Sequence, residues 1–279
     1  HERSTGPGAG DAAVPALLTP TPDGLKASDN LYVDVADADY MPEMAIGRLP
    51  AKDNVQLAVM VDKLIAHETS DGEWVTRAVL VADVPDRGGP FSRDSDALAE
   101  ILDDSLLVQQ IHREDPLNPQ TGCNSHQACL MDALDEGRGY FNFAGHGNFS
   151  TLGKGRFITS AEVNRLTNRD RLPVVTAQTC LVGDFARPGA EAVGETFLRK
   201  ANGGAIAVWS PSSKSINHRA QMLGNSFYQA VFPGDPGVQG ERLLGDAILQ
   251  AKQAYWSQGQ DLYLLDTYNL LGDPASVLK

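Results

Sequence analysis

From residue 51 onward, helical stripes and short apolar runs alternate along the chain. Residues 51–68 place Val55, Ala58, Val61, Leu64 and Ile65 on one stripe at helical spacing. Arg77–Val84 is a β-branched apolar run, the pattern of a strand buried on both faces. Gly88-Gly89-Pro90 then breaks the chain, and Asp94–Asp103 resumes the helical rhythm with Ala97, Leu98, Ile101 and Leu102 as its buried side. Leu106–His112 reads as the next strand, and Ser125–Leu134 as a helix capped by Ser125. Strand Tyr140–Ala144, helix Ser160–Leu166, strand Pro173–Thr179, helix Val193–Ala201 and strand Ala205–Trp209 follow. Two amphipathic helices, Asn217–Phe232 and Glu241–Ser257, precede a closing segment, Tyr268–Pro274. Strands separated by helical stretches predict an α/β fold: a mostly parallel sheet with helices on both faces. Residues 1–30 are rich in Gly, Ala, Pro and Thr without periodicity, and read as a flexible tail or linker ahead of one domain over residues 31–279.

Composition narrows the partners more than the fold. A chain of 279 residues, 42% hydrophobic and 21% charged, buries a sizeable core and is not disordered. Its 23 basic and 36 acidic side chains leave a formal charge of −13, which excludes a broad nucleic-acid surface and favours cationic partners such as basic peptide segments. No apolar run approaches the ~18 residues of a membrane span. No signal peptide is visible, and a chain starting at His1 reads as a mature or shortened product, so compartment stays open.

The run Cys123-Asn-Ser-His126-Gln-Ala-Cys129 resembles half of a metal site, but no second half accompanies it. A local disulfide, or two unpaired thiols at a helix start, is the favoured reading. Asp34, Asp37, Asp39 and Glu43 supply oxygen ligands suited to a structural calcium ion, without the spacing of an EF-hand; a solvated acidic turn is the favoured alternative. His1, His67, His112 and His218 have no evident chemical partner and read as surface or packing residues.

Two strand ends carry reactive side chains. Tyr140–Ala144 runs into Gly145-His146-Gly147, and Pro173–Thr179 runs into Cys180. In parallel sheets, ligands collect at such C-terminal ends, so neighbouring strands would bring His146 and Cys180 to one crevice. A thiol needs a base to act as a nucleophile at neutral pH, and the resulting imidazolium can protonate a leaving amine. The Gly147 and Cys180 N–H groups would serve as an oxyanion hole. Each residue also has an ordinary structural reading, Cys180 as core and His146 as turn.

Gly145-His146-Gly147, Phe157–Leu166 and Leu172–Phe185 resemble the gingipain family of cysteine peptidases, family C25 of the caspase-like clan. Met44-Ala-Ile-Gly47-Arg48-Leu49-Pro50 and Tyr268-Asn-Leu-Leu-Gly272-Asp273-Pro274 match further family segments in the same order. The resemblance implies a caspase-like three-layer sandwich and peptide-bond cleavage by a Cys–His dyad, with Cys180 as nucleophile and His146 as acid/base. It places an acidic residue behind the histidine, ahead of a Gly-Gly-Pro; Asp86 is the candidate and Asp83 the fallback. Selection of a basic residue before the scissile bond would need an acid after Gly-Gly-Pro, where Asp94 and Asp96 lie, with Gln178 and Trp209 as further substrate-binding walls. The implied partners are a protein or peptide substrate and a prosegment or missing N-terminal subdomain, in a secreted or surface protein of a bacterium. No cofactor is required by this chemistry.

Other readings differ in kind. One is a caspase-like scaffold that does no chemistry; another is a sortase-like transpeptidase using the same dyad. A phosphate-binding small-molecule enzyme would rest on Gly145-His-Gly147 and Gly153-Lys-Gly155 alone, with no Gly-x-Gly-x-x-Gly or Walker sequence.

Overall fold

The computed structural model describes residues 14–37, 39–233, 241–258 and 261–279. Its strands in chain order are β1 (Leu18–Thr21), β2 (Gly24–Ala27), β3 (Arg77–Ala82), β4 (Leu107–His112), β5 (Tyr140–Ala144), β6 (Val174–Gln178), β7 (Ala207–Pro211) and β8 (Tyr268–Leu271). Short two-residue strands accompany them at the edges. The helices are α1 (Asn54–Thr69), α2 (Phe91–Ala99), α3 (His126–Glu136), α4 (Ser160–Val163), α5 (Val193–Arg199), α6 (Asn217–Val231), α7 (Leu244–Trp256) and α8 (Tyr263–Thr267).

Six strands form one sheet in the order β8-β7-β6-β5-β3-β4. Every pair is parallel except β7 with β8. Period-two alternation divides the side chains between two helical layers. Val79, Val81, Phe141, Phe143, Val175 and Ala177 pack with Met60 of α1, Leu130 and Leu134 of α3 and Phe197 of α5. Ala78, Leu80, Tyr140, Val174 and Trp209 face Leu98 of α2, Phe227 and Tyr228 of α6 and Ala251 of α7. The sheet grows from β3 outward, β4 on one side and β5 on the other, so strand order reverses between β3 and β5. A crevice opens outside the carboxyl ends of the strands at such a reversal.

Local chemistry starts the helices. Asp53 accepts the Gln56 N–H at 2.8 Å and Ser125 accepts the Ala128 N–H at 3.0 Å. Helix α2 begins at Phe91, directly after Pro90, earlier than the expected Asp94. Cys123 and Cys129 form a disulfide across the entry to α3, which removes both sulfurs as metal ligands. In the acidic stretch, Asp34 accepts the Tyr40 N–H, Asp39 the Met41 N–H and Glu43 the Val35 N–H, at 3.1, 2.9 and 2.7 Å. These carboxylates serve turns, and among the described residues no three His, Cys, Asp or Glu side chains converge to hold a metal ion.

Helix α1 reverses the expected burial. Its inner face carries Met60, Lys63 and His67, while Val55, Val61 and Ile65 are exposed. The cause lies at the end of α5, where carbonyls outside the helix ladder draw in a donor; that of Phe197 also accepts the Ala205 N–H at 3.0 Å. Lys63 donates to the carbonyls of Phe197 at 3.2 Å, Leu198 at 2.9 Å and Lys200 at 3.4 Å. Burial, and then the neighbouring Lys200 charge, lowers the Lys63 ammonium to about 7. His67 completes the inner face against the Trp74 ring, 5.8 Å between centroids.

The expected tail falls partly on residues 1–13, which lie outside the described residues, as does His1. The remainder of it is built into the fold. Strands β1 and β2 form an antiparallel hairpin, and buried Thr19 donates to Asp266 Oδ2 at 2.5 Å. Asp29 is 3% exposed at its side chain and takes two Arg48 N–H groups, Nη2 at 2.5 Å and Nε at 2.8 Å. Arg48 also lies over the Phe185 ring, 4.6 Å from its centroid. Removing one member of a buried pair strands the other charge. Arg48→Met is therefore expected to cost about 3–5 kcal/mol, read as a fall in the urea midpoint at unchanged slope.

Candidate active site

The register of the sheet brings the two reactive strand ends level. Ala144 pairs with Gln178 across β5 and β6, and Gly145 N–H extends the ladder to the Gln178 carbonyl at 3.3 Å. His146 and Cys180 each stand two residues beyond that pair. A Cβ built on Gly147 would lie 2.4 Å from Thr179 Oγ1 and 3.0 Å from the Cys180 carbonyl oxygen, so the two loops touch there. Glycine is required at this contact.

His146 is fixed by three neighbours. Its Nε2 meets both oxygens of Asp86 at 3.1 Å. Phe91, at the start of α2, sets its ring edge-on at 5.2 Å. The His146 carbonyl accepts the Gly153 N–H at 2.8 Å. Nε2 faces Asp86, and Nδ1 bonds to no described residue. Asp86 comes from the turn after β3, where it exchanges backbone hydrogen bonds with Gly89 and its Oδ1 accepts the Gly88 N–H at 2.7 Å. The Lys154 ammonium, then the Gly88 N–H and His146, hold the Asp86 carboxyl far below its usual range. It stays a carboxylate wherever an imidazole titrates. Asp83 is elsewhere: fully buried, it pairs with Arg113 and accepts the Lys154 N–H at 2.9 Å.

Cys180 is the chain's one free thiol and is partly exposed. Its Sγ accepts the Ser215 N–H at 3.4 Å and lies 3.6 Å from the Ser215 carbonyl. Leu181 follows with φ +63°, a left-handed turn that swings the chain away from the sulfur, and its N–H is tied to Ser213 O at 3.0 Å. Two backbone N–H groups flank these strand ends. The Gly153 N–H to His146 C=O bond makes those residues the hydrogen-bonded pair of their small hairpin, so Gly147, one residue on, directs its N–H off the ladder. The Cys180 N–H likewise donates to no described residue.

Two expected substrate walls are placed differently, and the expected acid, Asp94, is buried. Trp209 is 1% exposed between Phe227 and Tyr268, at 5.2 and 5.3 Å, and belongs to the core under α6. Gln178 is 3% exposed and turns toward Gly224 of α6, where a Cβ would come within 2.2 Å of its Nε2. It is therefore not a wall of the open crevice. Asp94 is buried in the first turn of α2 and accepts from Asn217 Nδ2 at 2.6 Å; burial raises its carboxyl pKa. Asn217 lies two residues past Ser215, so Asp94 backs the Cys180 side of the crevice. Lys154 and Ser215, which touch Asp86 and Cys180, were absent from the expected set. Gly153-Lys-Gly155 was visible as a motif, but nothing in the sequence tied it to Asp86; Ser215 contributes backbone groups that no side-chain pattern reveals.

With this geometry in place, comparison with known proteins is direct. The model of peptidase family C25 matches residues 6–279. Gingipain R2 of Porphyromonas gingivalis is 25% identical over 278 residues, covering 95% of this chain and 36% of the relative. The crystal structure of the Arg specific cysteine proteinase gingipain R superposes with a TM-score of 0.80 at 20% identity, covering 95% of this chain and 62% of the other. The Saccharomyces cerevisiae separase–securin complex gives 0.53 at 13% identity over 82% of this chain and 14% of the other. The chain thus spans about a third of the curated relative, and it shares the caspase-like α/β sandwich of these structures. Matched over nearly its whole length, the chain belongs to peptidase family C25.

Proposed function

We propose that the chain is a cysteine endopeptidase with Cys180 as nucleophile, His146 as general acid and base, and Asp86 as the group that orients His146. The observation that carries the reading is the placement of His146 and Cys180 at level ends of paired strands, with Asp86 on Nε2 of the imidazole. Nδ1 of His146 takes the thiol proton as sulfur attacks the peptide carbonyl. The oxyanion forms between the N–H groups of Gly147 and Cys180. His146 returns the proton to the leaving amine, and water, deprotonated by the same imidazole, releases the acyl group. Side chains and water suffice for every step.

Preference for a basic residue before the scissile bond would draw on Asp94, the carboxylate behind Ser215 and Asn217. The net charge of −13 favours approach of basic segments. The disulfide at Cys123–Cys129 suits an oxidising compartment, and with bacterial relatives it supports a protein secreted or held at the surface of a bacterium. Among the described residues no helix is long and apolar enough to cross a membrane. A prosegment or N-terminal subdomain, where the whole protein carries one, would add latency or substrate contacts.

Intact-mass analysis with peptidyl acyloxymethyl ketones ending in Arg, Lys, Asp or Asn tests the reading. One adduct per chain is expected, fastest with Arg or Lys and absent from Cys180→Ala. A folded protein that no probe labels would favour a silent caspase-like scaffold. A product mass showing acyl transfer to an added amine would instead identify a transpeptidase.

A further inference from the structure

Asp86 holds more than the imidazole. Its Oδ2 also takes the ammonium of Lys154. The backbone of Lys154 is fastened independently: its N–H donates to Asp83 Oδ2 at 2.9 Å, and its carbonyl accepts from Arg113 Nη1 at 3.0 Å. Arg113 is itself paired with Asp83 and lies over the Phe157 ring, 4.5 Å from its centroid. Gly153, one residue earlier, is tied to the His146 carbonyl at 2.8 Å. Gly153 at φ +79° and Gly155 at φ +67° give the loop the left-handed steps it needs around Lys154. A backbone held at these points leaves the lysine side chain to select its contact, and it selects the carboxylate behind His146.

The surroundings of His146 make that choice consequential. From the turn after β3 it faces Asp86 and Gly88, from α2 the neutral Phe91 ring, and the next residue, Gly147, abuts the Cys180 loop at the end of β6. Asp83 lies under Gly145, already paired with Arg113. A carboxylate paired with imidazolium alone stabilises the protonated ring, which then surrenders its proton less readily. A second cation on the same carboxylate relieves that hold and also fixes the plane of the carboxyl group.

We propose that Lys154 is a positioning residue for the reaction assigned above: shared between Lys154 and His146, Asp86 keeps Nε2 inward and Nδ1 toward Cys180, and does not over-stabilise the imidazolium. The proposal rests on the peptidase reading, so its test has a readout independent of turnover. Ring nitrogens of ¹⁵N-histidine-labelled protein would be titrated by NMR in a Cys180→Ala background, with Lys154, Lys154→Met and Lys154→Arg compared. Lys154→Met is expected to raise proton affinity of His146 about three- to tenfold. Lys154→Arg should return it toward the parent. In the Cys180 protein, kcat/KM for Lys154→Met should fall about tenfold at neutral pH, mainly in kcat, with its pH profile displaced the same way. The melting temperature should stay put, since the Lys154 side chain is 55% exposed. A titration unmoved within a factor of two overturns the proposal. A moved titration in a parent that hydrolyses no peptide upholds the Lys154 coupling and counts against the peptidase reading alone.

Discussion

His146→Ala is expected to lower kcat/KM for peptide hydrolysis by about 10²–10⁴-fold while leaving the fold intact. The ring is partly exposed, with 39% of its side-chain surface open, and it rests against the Phe91 edge, the Asp86 carboxylate and Gly88. Truncation therefore opens no core cavity. What it removes, on the proposed reading, is the base that serves Cys180. The polar neighbours of the sulfur among the described residues are the Ser215 N–H, which only donates, and the Ser215 carbonyl, which cannot carry a proton away. Alkylation of Cys180 at neutral pH should slow in the same variant, because fewer thiols are ionised. The check is steady-state turnover of the peptide matching the fastest ketone probe, beside iodoacetamide kinetics from pH 5 to 9. Near-parent turnover would mean that another base serves the thiol, and the assignment of His146 would fall.

Gly147→Ala is expected to reduce kcat by about 10²–10³-fold with little change in KM. Its Cβ would meet Thr179 Oγ1 at 2.4 Å and the Cys180 carbonyl at 3.0 Å. The carbonyl is backbone and cannot rotate aside, so the strand ends must part. Separation moves the Gly147 N–H and the Cys180 N–H relative to each other, and an oxyanion hole depends on donors converging at one point. A loss that appeared wholly in KM would place Gly147 in substrate binding and remove it from transition-state stabilisation. Circular dichroism and the melting temperature separate either result from simple unfolding.

The strand-end histidine and cysteine were legible because two independent patterns agree on them. Short, continuously buried runs between helical stretches locate the ends of β5 and β6, and the residues just beyond are a flanked histidine and a thiol. Asp86 was singled out only through the family resemblance, which sets an acid ahead of Gly88-Gly89-Pro90; the contact with His146 depends on a turn whose local bonds hold it in place. Trp209 and Gln178 were misassigned for one physical reason: a side chain at a strand end can face a crevice or a covering helix, and α6 arrives from later in the chain. Helix α1 was misread for another. Its stripe of Val55, Val61 and Ile65 has the right spacing to be buried, but the inward face was decided by Lys63 meeting the carbonyl ends of α5, some 130 residues away by the separations of 134 and 135. Hairpin β1–β2 escaped notice because its Gly, Pro and Thr content hides strands that survive through contacts with Asp266 and Asn269.

Those last contacts have a consequence for how the molecule is made. Thr19 meets Asp266, the Asp29 N–H meets Asn269, and Arg48 exchanges backbone bonds with Leu270 and Gly272. Segments synthesised early are thus fastened to segments synthesised more than two hundred residues later. While the chain is still being extended, β1, β2 and the Gly47-Arg48 segment lack their partners, and β7 lacks β8 along its edge. Ser212 and Ser213, just ahead of the Ser215 that touches Cys180, are hydrogen-bonded to Thr267. The thiol's surroundings therefore assemble only once Thr267, far beyond His146 and Cys180 in the chain, has been added, and until then the two residues lack the seat that brings them together.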